Sequence, residues 1–178
     1  MQNNFAGKHF LTLEDYTPED LRYLLDLALR LKKEKKDHVD QRKCIGDNML
    51  MLFEMESTRT RCAFETSAQD LGMGTTYLSN SHFGTKETIK DSMRVFSSMY
   101  DVIAYRGKDH KQLLEMAKES TIPIINGYTM HEHPTQMLAD FMTLDEVYGR
   151  EGYKGKTFVY IGRGGACCAF SYAVACAM

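Results

Sequence analysis

Apolar residues recur along this chain in two alternating rhythms. Over residues 18–36 they fall at Leu21, Leu24, Leu25, Ala28 and Leu31, one stripe of an amphipathic helix. Thr17-Pro18-Glu19-Asp20 opens that helix with a cap, a proline at the first helical position and acids that suit the dipole. Lys32, Lys33, Lys35 and Lys36 close it as a solvated end. Residues 1–16 read as an irregular arm and 37–47 as a polar connection. From Asn48 onward short apolar runs alternate with helical patterns. Strands are predicted over Asn48–Phe53, Thr75–Leu78, Val102–Tyr105 and Pro123–Asn126. Between them come a helix ending near Leu71, a helix carrying Ile89, Met93, Phe96 and Met99, and a helix over Lys111–Glu119 with Leu113, Leu114 and Ala117 inward. The helix Pro134–Tyr148 follows, stopped by Gly149. Such alternation predicts an α/β fold, a parallel sheet with helices on both faces.

Gly149 to Gly155 reads as a boundary, which divides the chain into residues 1–150 and 151–178. A fifth strand is expected over Thr157–Ile161, then Gly162-Arg163-Gly164-Gly165 and an apolar run to Met178, the opening β–α unit of a second, incomplete α/β domain.

The composition narrows the class. The chain has 178 residues, 43% hydrophobic and 26% charged, as a globular domain should. A net charge of −2 argues against a broad nucleic-acid surface. No apolar run is long enough to span a membrane, and the amino terminus lacks a basic stretch followed by an apolar one. Five cysteines without regular spacing suit reduced thiols and a cytoplasmic setting, and six scattered histidines offer no metal-ligand spacing.

Chemistry concentrates where strands end. Ser57-Thr58-Arg59-Thr60-Arg61 follows the first strand and opens a helix. Ser57 stands at the N-cap, where its hydroxyl can accept an orphan backbone N–H. Arginines in a first helical turn oppose the macrodipole; an anion held between them and the free N–H groups reverses that penalty. The stretch therefore reads as a phosphate cradle. Ser81-His82-Phe83-Gly84-Thr85-Lys86 follows the second strand, Arg106 the third, and His131, His133, Thr135 and Gln136 the fourth. In a parallel sheet these loops share one edge, the carboxyl edge, where ligands bind. Guanidinium forks fit phosphate oxygens. His133, beside Pro134 at a helix start, is expected to be neutral and able to donate to a carbonyl, while Gln136 offers a donor and an acceptor. There is no serine–histidine–acid signature and no evident general-base carboxylate in these loops. The set points to binding and polarising an already activated acyl phosphate by orientation and electrostatics.

Taken in order, Ser57-Thr58-Arg59-Thr60-Arg61 with Phe64-Glu65, Tyr105-Arg106-Gly107, and His133-Pro134-Thr135-Gln136 resemble the aspartate/ornithine carbamoyltransferases over nearly all of residues 5–160. Cys62-Ala63-Phe64-Glu65, Lys86-Glu87 with Lys90-Asp91, Met99-Tyr100-Asp101 and Leu138-Ala139-Asp140 lean toward the ornithine enzymes. The resemblance implies a two-domain α/β enzyme of arginine metabolism, assembled as trimers or multiples of trimers and using no metal or organic cofactor. It implies transfer of a carbamoyl group from carbamoyl phosphate to the side-chain amine of ornithine, giving citrulline and phosphate. Ser57, Thr58, Arg59 and Thr60 would hold the phosphate. Arg106, His133 and Gln136 would hold and polarise the carbamoyl group, which makes Arg59, Arg106 and His133 the expected catalytic residues. The loop at His82 would reach a neighbouring subunit's site.

Three departures accompany the match. His82 stands where ornithine enzymes usually carry glutamine, in a loop that looks shorter. Gly162-Arg163-Gly164-Gly165-Ala166-Cys167-Cys168 replaces Gly-Asp-Ala/Gly-Arg-Asn-Asn, so the asparagine that contacts the amino acid is absent. The later amino-acid-binding motifs do not occur. The donor half of a site is expected here, with most of the acceptor half missing. A noncatalytic donor-binding or oligomerising remnant, or an enzyme for another amine such as putrescine, are the alternatives. Gly162-x-Gly164 as a dinucleotide loop is a weak third, because Cys167 occupies the third glycine position.

Overall fold

The computed structural model describes residues 5–79 and 81–178. Residues 1–4 of the expected arm and Asn80 of the second-strand loop lie outside the described residues. The elements run α1 (Pro18–Lys36), β1 (Asn48–Phe53), α2 (Thr58–Leu71), β2 (Gly74–Leu78), α3 (Ile89–Met99), β3 (Val102–Arg106), α4 (His110–Glu119), β4 (Ile124–Tyr128), α5 (Pro134–Tyr148) and α6 (Cys167–Ala177). The four strands form one parallel sheet in the order β2-β1-β3-β4. The predicted class, a parallel sheet flanked by helices, is the observed one. The fourth strand begins and ends later than its apolar run, because Asn126, Gly127 and Tyr128 continue the ladder with β3.

Side-chain alternation divides the core by sheet face. Leu50, Leu52, Ile103, Tyr105 and Ile124 pack with Met93 of α3 and with Leu113 and Met116 of α4. Met49, Met51, Phe53 and Ala104 pack on the other face with Phe64 and Ala68 of α2. Near-continuous apolar strands are what a sheet covered on both sides requires. One helix differs from expectation: Leu114 is exposed and Met116 is the buried partner of Leu113. Met116 lies three positions from Leu113, on one helical face, whereas an adjacent residue is turned about 100° away.

The amino-terminal arm is more ordered than its composition suggested. Phe10 bridges Ile125 in parallel, with Phe10 N–H to Ile124 C=O and Asn126 N–H to Phe10 C=O both 2.8 Å. This covers the β4 edge, and a 3₁₀ turn at Leu13–Asp15 follows. The α1 capping box at Thr17 and Asp20 forms as expected. Arg22 holds buried Asp145 at 2.5 Å and joins α1 to α5.

The expected fifth strand does not form. Thr157–Ile161 pairs with no strand among the described residues, and Ile161 is 91% exposed. A strand is a pairing as much as a propensity, and no free sheet edge stands beside this run. The following apolar run forms α6 and docks on α5 and the 3₁₀ turn.

Candidate active site

The strand order creates a switch point. The chain leaves β1 through α2 toward β2, and leaves β3 through α4 toward β4, on opposite sheet faces. The crevice between the carboxyl ends of β1 and β3 is where open α/β sheets take ligands. Phe53 and Arg106 are register partners there, and Glu54 N–H donates to the Arg106 carbonyl at 2.8 Å.

Ser57 occupies the N-cap of α2 with extended backbone, but its side chain makes no capping hydrogen bond. The expected cap bond is therefore absent, and both the hydroxyl and the first-turn N–H groups stay open to a ligand. Thr58 and Arg59 are exposed and Thr60 is half-buried, and Arg59 has no hydrogen-bond or ion-pair partner among the described residues. Arg61 is directed elsewhere: it pairs with Glu65 at 3.1 Å and lies 3.7 Å above the Tyr77 ring. It braces α2 against β2.

Arg106 is re-aimed by a bulge. Tyr105 pairs with Asn126 and Arg106 with Tyr128, so Gly127 is the extra residue on β4. A Cβ at Gly127 would press on Phe64 of α2 and the Tyr105 carbonyl at 3.1 Å each, so glycine allows this close approach. The offset brings the Arg106 guanidinium 4.4 Å from the Tyr128 ring centre. Its Nε is buried with no acceptor among the described residues, and burial draws its pKa below the ordinary guanidinium value.

His133 meets the same tyrosine from another side, edge-to-face at 5.4 Å. It is the N-cap residue of α5, with Pro134 at the first helical position. Its pKa is lowered to about 4, first by burial and then by the charge on Arg106. The neutral ring was expected from the helix terminus; burial and Arg106 are the larger causes, and the helix end adds the same sign. Thr135 Oγ1 lies 3.3 Å from His133 Nδ1.

The loop that delivers His133 is held from within. Buried Asn126 donates to the Leu11 carbonyl at 2.8 Å and accepts from Tyr128 N–H at 3.0 Å. Buried Glu132 accepts from Leu13 N–H at 2.9 Å, and Glu132 N–H donates to Thr129 Oγ1 at 3.2 Å. Sequence reading missed these polar supports; a polar run between a strand and a helix looks like any loop until its partners, more than 100 residues away, are known.

Two expected residues stand apart. Gln136 is exposed and donates along its own helix to Asp140 at 3.0 Å. The His82 side chain is exposed, while its carbonyl receives Thr85 N–H and Lys86 N–H at 3.0 and 3.1 Å. Buried Phe83 anchors this loop against Phe96. No hydrogen bond joins His82 to Arg106 or His133. A groove of about 890 Å³ lies between α1, α5 and residues 151–178, and none of the expected site residues lines it. From α6, Ser171 Oγ accepts His133 N–H at 3.0 Å and Tyr172 donates to Asp140 at 2.5 Å.

Fold and loops together define the class: an open parallel α/β domain with polar loops at the carboxyl ends of its strands. Residues 8–146 match the family model described as aspartate/ornithine carbamoyltransferase, carbamoyl-P binding domain. An ornithine carbamoyltransferase (catabolic, form 1) of Staphylococcus epidermidis is 45% identical over 163 residues, covering 90% of this chain and 49% of that protein. Among solved structures, an ornithine carbamoyltransferase from Pyrococcus furiosus superposes with a TM-score of 0.80 at 39% identity, covering 82% of this chain and 47% of that one. An aspartate transcarbamoylase from Trypanosoma cruzi, solved with carbamoyl aspartate and phosphate, superposes at 0.75 with 26% identity, covering 82% and 48%. The chain belongs to the aspartate/ornithine carbamoyltransferase family, a family of transferases. It spans about half the length of the curated relatives it matches.

Proposed function

We propose that this chain supplies the donor half of an ornithine carbamoyltransferase: it binds carbamoyl phosphate for transfer of the carbamoyl group to the side-chain amine of ornithine. The observation that carries the reading is the register pair at the switch point. Phe53 opposite Arg106 sets the start of α2, with its unused hydroxyls, open N–H groups and unpaired Arg59, beside a half-buried arginine whose Nε is buried and has no acceptor among the described residues.

In this reading Ser57, Thr58, Arg59 and Thr60 receive the phosphate oxygens. Arg106 and the neutral His133 address the carbamoyl oxygen. A Thr135 hydroxyl donating to Nδ1 leaves the His133 proton on Nε2, where it donates to that oxygen. The uncharged amine attacks the carbonyl carbon, negative charge gathers on the oxygen, and phosphate departs with the electron pair of the C–O bond and takes up the proton that the amine nitrogen gives up. A donor aimed at such an oxyanion contributes about 3–4 kcal/mol. Gln136 reaches the carbamoyl group only after leaving Asp140. His82 belongs to this reading through a neighbouring subunit in a homotrimer, because among the described residues it has no partner in the site. A cytoplasmic enzyme without metal or organic cofactor completes the proposal, along with a boundary near residue 150.

Titration calorimetry of the 178-residue chain with carbamoyl phosphate tests the donor site, and citrulline formation from ornithine, with putrescine as a parallel acceptor, tests transfer. Donor binding with little or no turnover by this chain alone is expected. Absence of donor binding overturns the reading. Light scattering tests the trimer.

A further inference from the structure

Beside the proposed phosphate cradle lies a polar clamp that the reaction does not use directly. Glu54, the residue after β1, carries an exposed carboxylate that accepts two hydrogen bonds. One comes from the hydroxyl of Tyr105, a fully buried side chain of β3, and the other from Gln112 Nε2 of α4 at 3.0 Å. The Glu54 backbone N–H meanwhile donates to the Arg106 carbonyl at 2.8 Å. One residue is thus tied through backbone and side chain to β3 and through its side chain to α4, three positions before the α2 N-cap. Gly107 shows how closely the clamp is built: a Cβ there would collide with the Tyr105 hydroxyl and lie 2.6 Å from Glu54 Oε2.

We propose that Glu54 and Tyr105 are positioning residues that hold the β1–α2 turn, and with it the first turn of α2, in register with Arg106. The assignment rests on the donor-site reading for its purpose but not for its geometry. The turn Glu54–Ser57 has few other anchors. Ser57 makes no side-chain cap bond, and Glu54 and Glu56 are both exposed. Arg106 itself is fixed by the ladder to β1 and β4. Without the clamp, one wall of the crevice stays in place and the other is free to shift. A tyrosine hydroxyl suits this task because burial, and then the carboxylate beside it, push its pKa well above the ordinary value, so it remains a donor at any working pH.

The test uses the whole 178-residue chain with carbamoyl phosphate in calorimetry and hydrogen exchange by NMR without ligand. Glu54→Ala and Tyr105→Phe each weaken donor binding about tenfold, the scale of one hydrogen bond to a charged group. The double variant is no weaker than Glu54→Ala alone, because that substitution already removes the contact that Tyr105→Phe removes. Glu54→Gln, whose amide oxygen still accepts from the phenol, binds within about twofold of the parent. Without ligand, exchange at the Glu54 and Arg61 amides speeds up about tenfold in Glu54→Ala and Tyr105→Phe, while Leu50 and Leu52 amides keep their protection. Unchanged affinity with a uniform loss of protection would reduce the clamp to a general stability contact and overturn the proposal. If the parent chain binds no carbamoyl phosphate, the donor-site reading fails, and local exchange at Glu54 and Arg61 still decides the clamp.

Discussion

Residues 48–128 and residues 157–178 are written in the same idiom, short apolar runs followed by helical ones, yet they have different fates. In the first region every run finds a parallel neighbour, and β1, β3 and β4 bury themselves between helical layers while the edge strand β2 stays partly exposed. In the second, Thr157–Ile161 has strand-forming residues and no ladder, and only its helix docks. Propensity is local, but a strand becomes stable only when a partner takes its backbone groups and a layer covers its side chains. The same contrast holds for chemistry. Arg106 is aimed by a register pair, a bulge and a tyrosine face, whereas Arg163 sits in an exposed turn.

The largest effect that sharpens this contrast is in the core. Leu52→Ala or Ile103→Ala, at positions 1% and 0% exposed, should cost about 2–5 kcal/mol in urea denaturation. Val159→Ala or Ile161→Ala, at 68% and 91% exposure, should stay within about 0.5 kcal/mol. A comparable loss at Val159 would mean that this run is packed after all.

Next come the arginines. Arg59→Ala and Arg106→Ala should each weaken carbamoyl phosphate binding by about 1.5–3 kcal/mol in calorimetry, the scale of a charged hydrogen bond. Arg163→Ala should leave binding unchanged. Equal losses at all three positions would erase the distinction between the two regions.

His133 gives a pH signature. Its folded pKa lies near 4, below the unfolded value of 6.5, so the unfolded chain binds more protons between these values. Stability therefore falls as pH drops from about 6.5 toward about 4. The share from His133 is about 1–2 kcal/mol, less than the full shift implies because the ring keeps some contact with water. His9 and His110 are lowered as well, and Glu132 is raised with the opposite sign. The measurement is thus the difference in pH slope between the parent and His133→Gln, whose slope should be shallower. A ring titration above pH 7 without ligand would contradict the assignment.

The smallest effect tests the docking of α6. Tyr172→Phe removes one hydrogen bond to Asp140 and should cost about 1 kcal/mol, seen as faster amide exchange confined to α6. Loss of protection throughout the sheet would instead tie the two regions into one cooperative unit.

What the sequence determined by itself was the alternation, and with it the parallel sheet, because burial on both faces demands unbroken apolar strands and each βαβ crossover demands a helix. Asn48–Phe53 and Pro134–Tyr148 were legible to the residue. The strand–helix junction at Ser57-Thr58-Arg59-Thr60, where the phosphate cradle is proposed, was legible too. Only the tertiary structure decided which of these residues meet. The bulge at Gly127, the Tyr128 ring shared by Arg106 and His133, and the carboxylate of Glu54 under Tyr105 are contacts between residues 5 to 51 positions apart. The pairing at Phe10 and the buried bond from Leu13 to Glu132 reach further still. No local pattern encodes such distances, because hydrogen bonds and ring contacts act over a few ångströms of space and are indifferent to how much chain lies between their partners.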